Sequence, residues 1–147
     1  MTNTANIPLF SLKKEHSEFP RQRITSSRQA YEFIKRFYSD DIEIYESFFI
    51  LLLNQGNYTI GFAKISQGGI AGTVVDTRMI AKIALESLAV NIILAHNHPS
   101  GNLNPSAQDK ALTERITNGL KLLDINVADH IILTAESYFS FRDEGII

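Results

Sequence analysis

Two kinds of hydrophobic pattern alternate along this chain: short runs that are apolar throughout, and longer stretches in which apolar residues recur every three or four positions. The first kind predicts buried strands and the second amphipathic helices. Ser26 or Ser27 can cap a first helix, in which Ala30, Ile34 and Phe37 form a stripe beside Phe33 and Tyr38 and which Asp40 and Asp41 end. Residues 46–53 are apolar on both faces after the first two, as a central strand should be. Turn residues at 54–57 and an apolar return over 58–65 make a hairpin. Beyond Gly68 and Gly69, residues 70–75 are expected as a third strand, and Asp76 as the cap of a helix turning Ala81, Ala84, Leu85 and Leu88 inward. The run 91–95 is apolar and largely β-branched, hence a buried strand. Asn104 and Pro105 have the composition of a helix start, N-cap then first helical position, and Leu112, Ile116, Leu120 and Leu123 follow at helical spacing. Residues 127–133 and 138–141 predict the last strands.

Strands and helices alternate, but the first strands form a hairpin, so an α/β fold with a mixed β-sheet flanked by helices is expected rather than a purely parallel sheet. At 147 residues and 44% hydrophobic content, the chain suits one domain with a proper core, placed at 26–147. Residues 1–25 lack a period and are expected as a partly ordered arm, with Phe19 and Ile24 packing on the domain and His16 solvated. The absence of cysteine excludes disulfides, thiolate metal sites and cysteine nucleophiles, so any metal must be held by His, Asp or Glu. No run is long enough to span a membrane and the start does not resemble a signal peptide, so a cytoplasmic protein without a membrane partner is expected. A net charge of −2, with Lys13, Lys14, Arg21, Arg23 and Arg28 set among Glu15, Glu18, Asp40 and Asp41, argues against tight nonspecific DNA binding. An exposed strand edge offers a route to a homo-oligomer.

Chemistry concentrates between Leu94 and Asp109. His96 and His98 end the 91–95 strand, and side chains two apart on an extended segment point to one side. Asp109 lies three residues before Leu112 on the apolar stripe of the next helix, where a carboxylate is costly unless paired or bound to a metal. Two imidazoles and a carboxylate leave a tetrahedral zinc one open position, the arrangement of a catalytic site. Singly, each residue has an ordinary use. Ser106 and Asp109 fit a capping box, the histidines suit a strand end, and Lys110 or Arg115 is available to pair Asp109. Together, on a strand, a turn and a helix, they point to a metal site.

The run I-I-L-A-H-N-H-P-S-G-N-L-N-P-S-A-Q-D, residues 92–109, resembles the JAMM (JAB/MPN) metalloprotease motif and looks like its RadC branch. The likeness continues through 122–125, 129–132 and 139–142, and covers the chain from about residue 42 to its end. His96-Asn97-His98 is not the HNH nuclease motif, which rests on a different fold and spacing. The resemblance implies a cytidine-deaminase-like fold, a Zn2+ cofactor held by His96, His98 and Asp109, and hydrolysis of a peptide or isopeptide bond in a peptide or protein substrate. It also implies a general base from an early strand, the place that Glu46 fills in Tyr45-Glu-Ser-Phe-Phe49, with Glu43 as competitor. Glu46 shares a strand face with Phe48, Ile50 and Leu52, at the rim of a buried surface, although a solvated carboxylate is its ordinary reading. Ser106 would donate a hydrogen bond to the oxyanion. The RadC likeness carries a different function as well, an accessory protein of DNA repair or recombination that acts through DNA or protein binding. The resemblance implies a further region, thought to bind DNA, ahead of this one in full-length RadC proteins, and no room for it is expected in these residues. His130 is expected in a structural hydrogen bond, Asn97 and Ser100 in the turn, and 142–144 in a solvated turn.

Overall fold

The computed structural model describes residues 6–11, 13–69 and 73–147. Five strands make one sheet in the order β2-β1-β3-β4-β5: β1 Ser47–Leu53, β2 Thr59–Gln67, β3 Asn91–Asn97, β4 Asn126–Leu133 and β5 Tyr138–Ser140. β3 and β4 are parallel and the other neighbours antiparallel, so the sheet is mixed, as the sequence implied. A parallel pair needs a long crossover. Helix α3, Ala107–Lys121, supplies it between β3 and β4.

The alternating sides of β1 and β3 build two cores. Phe48, Ile50 and Leu52 of β1, with Ile92 and Leu94 of β3, pack under Ile80 and Ala84 of helix α2 (Thr77–Glu86) and Ile116 and Leu120 of α3. Leu51 and Leu53, with Ile93 and Ala95, pack under Ala30, Tyr31, Phe33 and Ile34 of helix α1 (Ser27–Lys35). Because both faces are covered, β1 is buried at every position and β3 at all but its first. Among the described residues no helix is long and apolar enough to cross a membrane.

Several expectations need correction. Ser26 caps α1, but the helix stops at Lys35, a short 3-10 helix spans Asp40–Glu43, and Phe37 packs from outside the helix, its ring 4.1 Å from that of Phe62. The expected third strand falls partly on residues 70–72, outside the described residues, and 73–75 carry no strand. In α2 the inward stripe is Ile80 and Ala84; Leu85 is half exposed, and Leu88, at φ 59° beyond the helix end, points to solvent. Ser106, not Asn104, is the N-cap of α3, because Ser106 and Asp109 satisfy each other's free amides, which Asn104 is not spaced to do. Leu123 lies past the last turn of α3 and is exposed.

Along the N-terminal stretch, Ile24 enters the core and Phe19 packs against Phe33, Phe37 and Phe62, while His16 is exposed. Backbone bonds from Ile24 N to Asn57 O (2.9 Å) and Thr59 N to Gln22 O (2.8 Å) fasten it to the hairpin.

Candidate metal centre

β3, the central strand of the sheet, carries His96, and His98 follows one residue past its end. His96 stands opposite Phe48 of β1 on one side and Ile132 of β4 on the other. The His98 amide extends the ladder to Leu133 O at 2.9 Å, so the backbone is still held where the strand ends. Both imidazoles therefore leave the sheet on the α3 side, with their Nε2 atoms 3.0 Å apart. Phe48 lies parallel to the His96 ring, the centroids 5.9 Å apart.

The first turn of α3 adds the carboxylate. Asp109 Oδ1 is 3.3 Å from His96 Nε2, and Oδ2 is 3.1 Å from His98 Nε2. The capping box does this positioning: Ser106 N donates to Asp109 Oδ2 at 2.9 Å, and Asp109 N to Ser106 Oγ at 3.0 Å. The capping and functional readings of this pair thus describe one geometry. Neither Lys110 nor Arg115 pairs with Asp109; its ion-pair partners are the two histidines. Glu46 stands just ahead of β1 and is half-buried, and one of its carboxylate oxygens and a ring nitrogen from each of His96 and His98 lie within 4.8 Å of one another. Glu43 is exposed on the 3-10 helix and outside this group. Ser106 is exposed at the helix start, and the cap uses its oxygen as an acceptor, leaving the hydroxyl proton free.

These residues fit a small divalent cation. Bonds of about 2.0–2.1 Å in a tetrahedral site hold the donors about 3.3–3.4 Å from one another; here the two Nε2 atoms are 3.0 Å apart, and each has a different Asp109 oxygen beside it, at 3.3 Å for His96 and 3.1 Å for His98. The donor chemistry agrees. His98 Nδ1 faces the Asn102 carbonyl, which only accepts, so a neutral His98 keeps its proton on Nδ1 and turns a bare Nε2 to the carboxylate. Lone pairs then meet with nothing positive between them. Without an ion, the hydrogen bond to Asp109 raises the His98 pKa against the opposing effect of burial. Burial pushes the Asp109 carboxyl up, but the hydrogen bonds that His96 and His98 donate once their rings are charged, with the Ser106 amide, outweigh it and hold the group well below the usual carboxylate range. Proton and metal compete for the same place.

On the opposite face of β3, Asn97 grips the segment that presents Glu46. Its Nδ2 donates to Ile42 O (2.6 Å) and Tyr45 O (2.8 Å), and its Oδ1 accepts from Ser47 N (2.7 Å). The expectation that Asn97 fixes the turn after the strand is corrected: its side chain, buried on all sides, holds the residues on either side of Glu46. Ser100 does sit in the turn, accepting from Asn102 N at 3.3 Å. The His130 ring, expected in a structural hydrogen bond, meets Thr113 and His96. Thr113 escaped the sequence reading, although it lies one helical turn after Asp109 and that spacing was the available signal. Residues 142–144 form an exposed turn, as expected, but the Arg142 amide reaches the buried Asp129. A cavity of about 400 Å³ lined by Phe19, Phe33, Phe62 and Arg21 shares no residue with this centre.

The family described as RadC-like JAB domain matches residues 24–146. A UPF0758 protein of Flavobacterium johnsoniae is 45% identical over 125 residues, 85% of this chain and 54% of its own length. Another, from Porphyromonas gingivalis, is 44% identical over 132 residues, covering 88% and 57%. The UPF0758 protein YfjY of Escherichia coli is 42% identical over 102 residues, covering 69% and 64%. The chain thus spans about half the length of the first two relatives. On the match over residues 24–146 and these identities, the chain belongs to the RadC-like JAB domain family.

Proposed function

We propose that this chain is a zinc-dependent hydrolase of JAMM type that cleaves a peptide or isopeptide bond. The observation that carries the reading is the meeting of His96 Nε2, His98 Nε2 and the Asp109 carboxylate at 3.0–3.3 Å, with the Glu46 carboxylate beside the imidazoles. His96, His98 and Asp109 would hold the ion. Bound there, zinc supplies Lewis acidity, which lowers the pKa of water toward about 7 and polarises a carbonyl.

The chain's own residues do the remainder. Glu46 accepts the proton of the attacking water and delivers it to the leaving nitrogen, within reach because Asn97 holds the backbone on both sides of it. Ser106 has a hydroxyl proton not used by the cap and donates it to the oxyanion. Phe48, Leu94 and the other core residues behind the histidines keep water from the buried side of the site.

Metal analysis on untagged protein tests this. Wild type should carry near one equivalent of zinc, and His98→Ala and Asp109→Ala should carry almost none. Glu46→Gln should keep the metal and lose hydrolysis of peptide or isopeptide substrates by about 10²–10⁴-fold. Wild type that binds no zinc would sink the reading. A second reading, an accessory protein of DNA repair or recombination, rests on the likeness to the RadC family, while Glu15, Glu18 and Glu32 offset the exposed Lys13, Lys14 and Arg28 that would face the phosphates. It predicts DNA affinity that falls steeply with salt and survives Asp109→Ala.

A further inference from the structure

Thr113 and His130 are both buried beside the centre, yet neither supplies a ligand to it. Thr113 Oγ1 is 2.7 Å from the carbonyl oxygen of Asp109 and 2.6 Å from His130 Nδ1. On its other side, His130 Nε2 is 2.7 Å from His96 Nδ1. The order of protons along this line follows from what each atom is able to do. A carbonyl oxygen only accepts, so the single hydroxyl proton of Thr113 goes to Asp109 O. Thr113 Oγ1 is then the acceptor toward His130, and His130 Nδ1 must carry a proton. His130 is buried on all sides and among the described residues no carboxylate bonds its ring, so the ring is neutral and its Nε2 is bare. The proton between the two rings therefore belongs to His96 Nδ1, and His96 Nε2 is left as a lone pair facing His98 and Asp109.

We infer that Thr113 and His130 are positioning residues that lock His96 as its Nδ1–H tautomer and so present its Nε2 to a divalent cation. The inference rests on the metal reading of the site. It adds that α3 contributes twice, with a carboxylate from Asp109 and, one turn later, with the hydroxyl that sets the tautomer of a histidine on β3. β4 carries the message through His130, which lies opposite Leu94 in the parallel register. Displacing α3 therefore disturbs all of these groups together.

Two measurements on the full chain test the relay. Nitrogen-15 NMR of the metal-free protein at about pH 8, where free imidazole is neutral, should find the His96 proton on Nδ1. In Thr113→Val the line loses its anchor and His96 should become a mixture of tautomers, whereas Thr113→Ser should restore the wild-type pattern. Zinc affinity, measured by competition with a chelator, should fall about ten- to a hundredfold in Thr113→Val and stay close to wild type in Thr113→Ser. A proton on Nε2 of His96 in the metal-free wild type overturns the inference, and so does unchanged zinc affinity in a folded Thr113→Val protein. The wild-type tautomer needs no variant, so it decides the matter even if Thr113→Val fails to fold. Absence of zinc binding by wild type would instead defeat the metal reading, with the tautomer still deciding the relay.

Discussion

Asp109 and Asp129 are two carboxylates withdrawn from water, and their surroundings give them opposite characters. Asp129 is closed: its Oδ1 accepts from the amides of His130 (2.7 Å) and Arg142 (3.0 Å), and its Oδ2 from the Ser140 hydroxyl (2.6 Å). Every partner brings its own proton. Burial still raises its pKa, outweighing the bonds from Ser140, Arg142 and His130. Asp109 receives a proton from the Ser106 amide, and otherwise faces two imidazole nitrogens that the remaining hydrogen bonds leave bare in their neutral rings. Burial alone does not tell these two carboxylates apart. What separates them is whether the partners have protons to give, because a shortage of protons among converging acceptors is what a cation relieves.

The sharpest attempt to break this contrast replaces each aspartate with asparagine. Asp109→Asn should lose zinc almost completely, while Asp129→Asn should keep near one equivalent and instead lose about 1–3 kcal/mol of unfolding free energy through its impaired bonds, read by denaturant titration. Loss of zinc from a folded Asp129→Asn protein would erase the distinction. Asn97 is another closed polar residue, so Asn97→Leu should cost about 1–3 kcal/mol and leave zinc in place, with faster hydrogen exchange over residues 42–47 as its bonds to Ile42, Tyr45 and Ser47 go. Ser106→Ala removes a cap worth about 1 kcal/mol, and because the same residue aims Asp109 it should also weaken zinc binding measurably.

The smallest effect is one of sign, in metal-free protein. Asp109 is held below its unfolded value, so the unfolded chain takes up a proton first as pH falls below about 3.9 and stability is lost with acid. Asp129 is held above that value, so the folded chain takes up its proton first and stability is gained as pH falls through the raised pKa. Stability curves in acid should therefore show Asp109→Asn resisting acid relative to wild type and Asp129→Asn yielding to it sooner. Parallel curves for both variants would refute the assigned environments.

Much of the fold was legible. The fully apolar run of β1 and the β-branched run of β3 predicted interior strands because a strand covered on both faces has no solvent side to leave polar. The errors fell where local pattern underdetermines geometry. Leu85, Leu88 and Leu123 have helical spacing, but they sit at or past helix ends, where the chain turns away from the core. Asn104-Pro105 is a fair helix start on composition, yet the reciprocal bonds of Ser106 and Asp109 are worth more to the free amides. Of the centre, the residues close in sequence were readable, and the spacing of His96, His98 and Asp109 implied their convergence. The bond of Thr113 to His130 and the true use of Asn97 were not, since those partners lie 17 residues or more away, on other elements.

The sequence by itself determined the mixed α/β architecture, the absence of thiol chemistry and a set of three candidate metal ligands, because these follow from residue type and short-range periodicity. Only the tertiary structure decided which way the protons run. His96 has its tautomer set by a histidine 34 positions on and a threonine on another element, and Glu46 is held by an asparagine on a strand some 50 residues away. A hydrogen-bond direction depends on every partner of every atom in the line, and those partners become neighbours only when β1, β3, β4 and α3 pack together.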